Sequence, residues 1–270
     1  MRVSIVPPRM KDAGLACFVL KGVLTPAECE ALIVATEGRG YAAALINGGG
    51  RMQTLDTDTR KSGRVIVDDK PTAVDWFGRI AGHLPHAIGR GGRVADEGAR
   101  KLVGLNERLR FLRYHPGEYF APHQDGSYRR PDGSESSLLT MMLYLNTSDK
   151  GAAAASGGGG SGQGCFGGGE TNFLDVADLQ ARAGRRGNAV GEANSGTGKK
   201  ASVVPEVGDV LIFDHSLLHE GAAVTRGVKY AVRTDVMYTI PQGQAKLTKQ
   251  EQKARNRGPA RERHLQSDYS

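Results

Sequence analysis

Two short stretches carry side chains that can hold a metal ion. In "YFAPHQDGSY", His123 and Asp125 are separated by one residue. On a strand such neighbours point to the same face, so the pair can grip one ion. In "DHSLLHEG", His215 and His219 lie four residues apart. On a helix that spacing would suit a zinc protease. The apolar run "VLIFD" before it and Gly221 after it read instead as strand and turn, and no Glu follows His215 to act as general base. His123, Asp125 and one of the two later histidines would leave several positions on the metal open. That arrangement suits Fe(II) chemistry with dioxygen, and zinc on the same ligands is the inorganic alternative. A cationic signal adjoins them. In "VKYAVRTDVMY", Lys229, Ala231, Arg233 and Asp235 share one face of a strand, opposite Val228, Tyr230, Val232, Thr234, Val236 and Tyr238. A face with cations opposite an oily one fits a barrel whose mouth takes an anionic cosubstrate and whose outside is covered by helices or another sheet.

The elements that must position these groups are legible in outline. "LTPAECEALIVATEG" starts a helix, with Thr25 as N-cap, Pro26 at the first helical position and Glu28 closing a capping box. "KPTAVDWFGRIAGHLP" is a second helix whose stripe is Trp76, Phe77, Ile80 and Leu84, and "RKSGRVIVDD" between them reads as a strand. From about residue 105 come "LRFLRYHPG", "YFAPHQDG", "LLTMMLYLN", "TNFLD", "GDVLIFDH" and the lysine-bearing strand, all short β-type runs with Gly and Pro between them. These runs indicate a sandwich or a barrel. "GAAAASGGGGSGQG" (151–164) is a linker by composition, and the stretch from about 181 to 201 reads as a second surface insertion. The tail from Pro241 is basic and almost free of apolar residues, so it is expected to be disordered. The glycines of "GGGETNF" are expected in a tight turn, because a strand and not a helix follows them. Asp214 and Glu220 read as solvated acids, with orienting a metal-bound histidine as the alternative role.

These motifs in this order resemble the Fe(II)/2-oxoglutarate dioxygenases, in their prolyl 4-hydroxylase-like branch. The likeness runs from about Phe18 to Tyr238 and is carried by "RYHPGEYFAPHQDG", "LLTMMLYLN", "GGGETNF", "GDVLIFDHSLLHEG" and "GVKY". The resemblance implies a mainly β fold with flanking α, a double-stranded β-helix (a jelly-roll or cupin-like barrel) with N-terminal supporting helices. It divides the chain into an N-terminal extension (1–17), a catalytic domain (18–240) and the basic tail (241–270). It makes His123, Asp125 and His219 the Fe(II) ligands, leaving His215 as a strand-end residue. Lys229, ten residues after His219, takes the position that pairs with the distal carboxylate of 2-oxoglutarate. Tyr114 and Thr140 match cosubstrate-contacting positions. Arg233 is the rival anchor, because other branches use an arginine further along the same strand. The implied reaction hydroxylates a C–H bond with O2 while 2-oxoglutarate becomes succinate and CO2, with ascorbate as reductant for stray Fe(III). A protein or peptide substrate such as peptidyl proline is expected. A small molecule is the alternative, and a barrel kept as a non-catalytic binding module is the further one.

Composition bounds the remaining classes. With 36 Lys+Arg against 29 Asp+Glu, the formal charge is +7, which could steer an acidic partner. A nucleic-acid substrate is disfavoured, because the flanks of His123 lack the Asn-x-Tyr element associated with the alkylation-repair branch. Cys17, Cys29 and Cys165 are an odd number without C-x-x-C spacing, which argues against a disulfide framework or structural zinc. No run approaches a membrane span and the N-terminus lacks the apolar core of a signal peptide, so a cytoplasmic or nuclear protein is expected.

Overall fold

The computed structural model describes residues 1–5, 14–47, 53–54, 56–89, 99–151, 165–175 and 201–240. The linker from residue 152 to 164, the second insertion up to residue 200 and the basic tail lie outside these residues. Ala201, placed in that insertion from the sequence, opens a strand, Ala201–Val203.

Two antiparallel sheets face each other. The major sheet runs Arg2–Ser4, Cys17–Leu20, Val210–Asp214, Glu135–Tyr144, Lys229–Thr239, Arg108–Tyr114, Gly63–Asp68 and Ala42–Ala43, with Arg100–Leu105 and Ala87–Ile88 attached beside the Lys229 strand. The minor sheet runs Ala201–Val203, Thr171–Phe173, His219–Gly221, Tyr119–His123 and Arg60–Lys61. The edge strand at residues 2–4, its neighbour at 17–20 and the Arg100–Leu105 strand go beyond the elements expected from the sequence. Each is short or flanked by segments without strong period-2 alternation, and pairing across long sequence separations is what makes them strands.

The two helices lie on the outer face of the major sheet. Helix α1, Pro26–Glu37, begins as expected: Thr25 accepts from Glu28 N, and the Glu28 carboxylate accepts from Thr25 N at 2.7 Å. Helix α2, Lys70–Ile80, is capped by Asp69, which accepts from Thr72 N. Its Trp76 and Ile80, with Leu84 just beyond, are buried in one cluster with Leu139, Met141, Val232, Val236 and Tyr238. Each large side chain sealed there contributes about 2 kcal/mol by burial. The oily face of the Lys229–Thr239 strand is therefore the helix-covered exterior of the barrel. Its opposite face looks inward, between the sheets, where Ala231 packs with Tyr144, Phe173, Leu211 and Phe213.

Candidate metal and cosubstrate site

His123 and His219 lie on adjacent strands of the minor sheet and are directly paired in register. Their rings are 4.2 Å apart, centroid to centroid. Asp125 follows two residues after His123, and its backbone N–H donates to the His215 carbonyl at 3.0 Å. The ligand atoms of His123, Asp125 and His219 all lie within 4.8 Å of one another. Each histidine Nδ1 faces a backbone carbonyl, Ala121 at 2.8 Å and Leu217 at 2.9 Å. A carbonyl can only accept, so the proton sits on Nδ1 and a bare Nε2 lone pair is left toward the shared centre. Burial pushes the His219 imidazole down to about 4, aided by the neighbouring His123, which keeps it neutral and fit to ligate. Burial alone would raise the Asp125 carboxyl. The Arg233 guanidinium beside it holds it well below the usual carboxylate range. Two imidazoles and one carboxylate fit a divalent iron ion.

The other expected residues divide. Lys229 and Tyr114 face each other across paired strands and both line the cavity in front of the triad. The Lys229 ammonium is buried, lies 5.5 Å from the ring centres of Tyr114 and Tyr144, and donates to the Gly169 carbonyl at 2.6 Å. It forms no ion pair with any described residue, and desolvation lowers it to about 8 despite the pull of Glu170. Arg233 also lines the cavity, but it is engaged: Nη2 lies 3.1 Å from Asp125 Oδ1 and 3.3 Å from Asp235 Oδ1. Asp235 in turn takes Arg110 at 3.2 Å and Asn106 at 3.3 Å. Thr140 differs from the cosubstrate contact expected of it. Its hydroxyl has one proton, and that proton goes to Asp125 Oδ2 at 2.5 Å. Thr140 is thus a support for the carboxylate.

His215 stands apart from the triad: its carbonyl holds Asp125, while both ring nitrogens are buried without a hydrogen bond among the described residues. Asp214 and Glu220 are corrected from solvated to buried acids. Asp214 accepts from Ser216, Glu220 accepts from Asn172, and the histidine Nδ1 atoms use backbone carbonyls instead.

The glycine turn has a role at the site. Gly169 has φ +71°, and a Cβ there would meet the Phe166 ring at 2.9 Å and Lys229 Cδ at 3.0 Å. Only glycine lets this carbonyl come down onto the ammonium. Arg60 and Phe120 are cavity residues that the site reading missed. "RKSG", which opens at Arg60, looks like the Arg-x-Ser strand of the resembled family, and that likeness alone gives Arg60 no role at the site. Beside the cavity an open groove of about 550 Å³ is lined by Tyr119, Phe120, Pro122, Glu170 and Ala222 among others, and it shares Phe120 and Gly221 with the cavity.

Comparison with known proteins agrees with this chemistry. Residues 109–234 match the family model described as the 2OG-Fe(II) oxygenase superfamily, and the two facing antiparallel sheets agree with the double-stranded β-helix of that superfamily. Similar solved structures include a prolyl-4-hydroxylase from Pseudomonas putida, 15% identical with TM-score 0.48, covering 84% of this chain and 95% of that one. The viral collagen prolyl hydroxylase of Paramecium Bursaria Chlorella virus-1 is 19% identical, with TM-score 0.44 and coverage of 85% and 99%. HygX from Streptomyces hygroscopicus, with nickel and 2-oxoglutarate bound, is 14% identical, with TM-score 0.45 and coverage of 89% and 91%. No curated protein matches the chain. Among the described residues, no helix is long and apolar enough to cross a membrane.

Proposed function

We propose that this chain is an Fe(II)- and 2-oxoglutarate-dependent dioxygenase that hydroxylates a C–H bond, with residues 18–240 as the catalytic domain. The observation that carries the reading is the pairing, in one cavity, of a His–Asp–His cluster with a buried lysine that forms no ion pair with any described residue. His123, Asp125 and His219 would hold Fe(II), which supplies oxidative decarboxylation of 2-oxoglutarate coupled to C–H hydroxylation. The chain's own residues bind, orient and exclude water. Lys229 neutralises the distal carboxylate of the cosubstrate, where a charge-assisted hydrogen bond replaces lost hydration. Tyr114 flanks the same end with its phenol. Thr140 and Arg233 each engage one oxygen of Asp125 and so fix the carboxylate's plane. Phe120 stacks on the His123 ring at 3.5 Å and Phe213 packs edge-on to His219 at 4.6 Å, which keeps the imidazoles from turning.

The groove beside Phe120 supports a substrate that approaches from outside the barrel, and a peptide such as one presenting proline is the first class to test. A small-molecule substrate would use the same groove. Ascorbate serves as external reductant for oxidised iron. In the deciding experiment, protein loaded anaerobically with Fe(II) and 2-oxoglutarate is exposed to oxygen and succinate is measured. The expected result is succinate release, stimulated by the right substrate. No succinate from fully loaded protein, alone or with peptide and metabolite libraries, rejects the dioxygenase reading and favours a non-catalytic barrel. A gain of one oxygen atom on proline in a peptide library identifies the prolyl class.

A further inference from the structure

We infer that the cavity contains a second anion subsite, centred on the Arg60 guanidinium, which receives an anionic group (carboxylate, sulfonate or phosphate) of the compound to be oxidised. This rests on the dioxygenase reading above, which assigns Lys229 to the cosubstrate.

The inference comes from accounting for the cations of the cavity wall. Arg233 is matched by two carboxylates, Asp125 and Asp235. Lys229 is matched by a carbonyl and left for one carboxylate of the cosubstrate. Arg60 remains. It is only 7% exposed, its Nε donates to Ser62 Oγ at 2.9 Å, and it forms no ion pair with any described residue. A buried cation without a counter-charge is costly unless something anionic meets it. Glu220, the other carboxylate on this wall, accepts from Asn172 Nδ2 at 3.0 Å.

Position separates Arg60 from the cosubstrate anchor. It sits on the edge strand Arg60–Lys61 of the minor sheet, whereas Lys229 lies in the major sheet. Its guanidinium carbon lies 4.6 Å over the Phe120 ring, and Phe120 is stacked on the metal-site ring of His123. Phe120 also lines the open groove, so a compound entering by the groove passes this ring and the cation packed against it. An acid with an apolar body matches both features. Its charge would be one ring's thickness from the triad, close enough to fix which C–H bond faces the metal site.

The test uses the protein loaded with Mn(II) and saturating 2-oxoglutarate, with methanesulfonate and its uncharged isostere dimethyl sulfone as probes. Relaxation of the probe methyl protons by Mn(II) reports proximity to the site. Wild type should relax methanesulfonate several-fold more strongly than the sulfone. Arg60→Gln should abolish the difference and Arg60→Lys should retain part of it, with both variants checked for native circular dichroism. Equal relaxation of the two probes by wild type, or an undiminished difference in Arg60→Gln, overturns the subsite. A tenfold weaker 2-oxoglutarate affinity in Arg60→Gln also overturns it, because Arg60 would then belong to the cosubstrate. Failure of Mn(II) to bind at all, read first by its own paramagnetic resonance, rejects the dioxygenase reading itself and is thereby distinguishable.

Discussion

Lys229 combines burial with a single neutral partner, and its chemistry follows from that. Its ammonium is depressed from 10.5 to about 8 by desolvation. The folded protein therefore holds fewer protons here than the unfolded chain between those values, and the metal-free fold gains stability as pH rises through that window. Cosubstrate binding runs the other way, because a carboxylate needs the charged lysine. The KM for 2-oxoglutarate should be flat below about pH 8 and rise about tenfold per pH unit above it. Steady-state kinetics from pH 7 upward would show this. Lys229→Ala should abolish the break and cost about 3 kcal/mol, on the order of a hundredfold in KM. Arg233→Ala should instead lose stability by about 3 kcal/mol, since it leaves the buried Asp125 carboxylate without its cation, with a smaller change in KM. The reverse ranking in KM would make Arg233 the anchor. The two histidines of "DHSLLHEG" should separate as cleanly. His215→Ala keeps the carbonyl that holds Asp125 and should leave Mn(II) affinity within a few-fold, whereas His219→Ala should eliminate both metal binding and turnover.

The turn through Gly167–Gly169 is the element that delivers a carbonyl to the lysine. Gly168 and Gly169 have φ near +73° and +71°, a region costing about 1–2 kcal/mol for other residues. Gly169→Ala would add a contact with Lys229 Cδ, so it should raise the KM for 2-oxoglutarate about tenfold and lower Tm by a few degrees. A thermal melt and a cosubstrate titration on the same variant check both parts. Helix α1 contributes at a distance, since Glu37 at its end accepts from Arg113 and from Tyr230. These bonds tie the helix to the two strands that carry Tyr114 and Lys229.

Across the whole molecule, the site lies where the two sheets meet. The minor sheet supplies both histidines and Arg60, the major sheet supplies Thr140, Lys229, Tyr114 and Arg233, and Asp125, two residues past His123, is bonded to Thr140 and to the His215 carbonyl. A metal held by the triad would therefore join the paired strands of His123 and His219 to the Asp125 carboxylate, which is itself bonded to Thr140. Mn(II) at a hundredfold excess over its Kd should stabilise the fold by about 2.7 kcal/mol. Differential scanning calorimetry should show the upward shift in wild type and its loss in His219→Ala. An equal shift in both would mean that the metal binds elsewhere.

The sequence by itself determined the features that depend on near neighbours. The capping box at Thr25 and the two-faced character of the Lys229 strand are set within a few residues, where backbone geometry is periodic, whereas the strand of His123 ends at that residue and Asp125 joins the site from the segment after it. The ordered motifs carried the fold class as well. Only the tertiary structure decided which groups share the remaining protons and charges. Thr140 faces Asp125 because its strand passes beside the segment that follows His123, 15 residues away in sequence. Asp235 gathers Arg110 and Asn106 from 125 and 129 residues away. Arg60 enters the cavity because its strand pairs with Tyr119–Phe120. A side chain's partner is chosen by strand register across such separations, and no local pattern of residue types encodes that register.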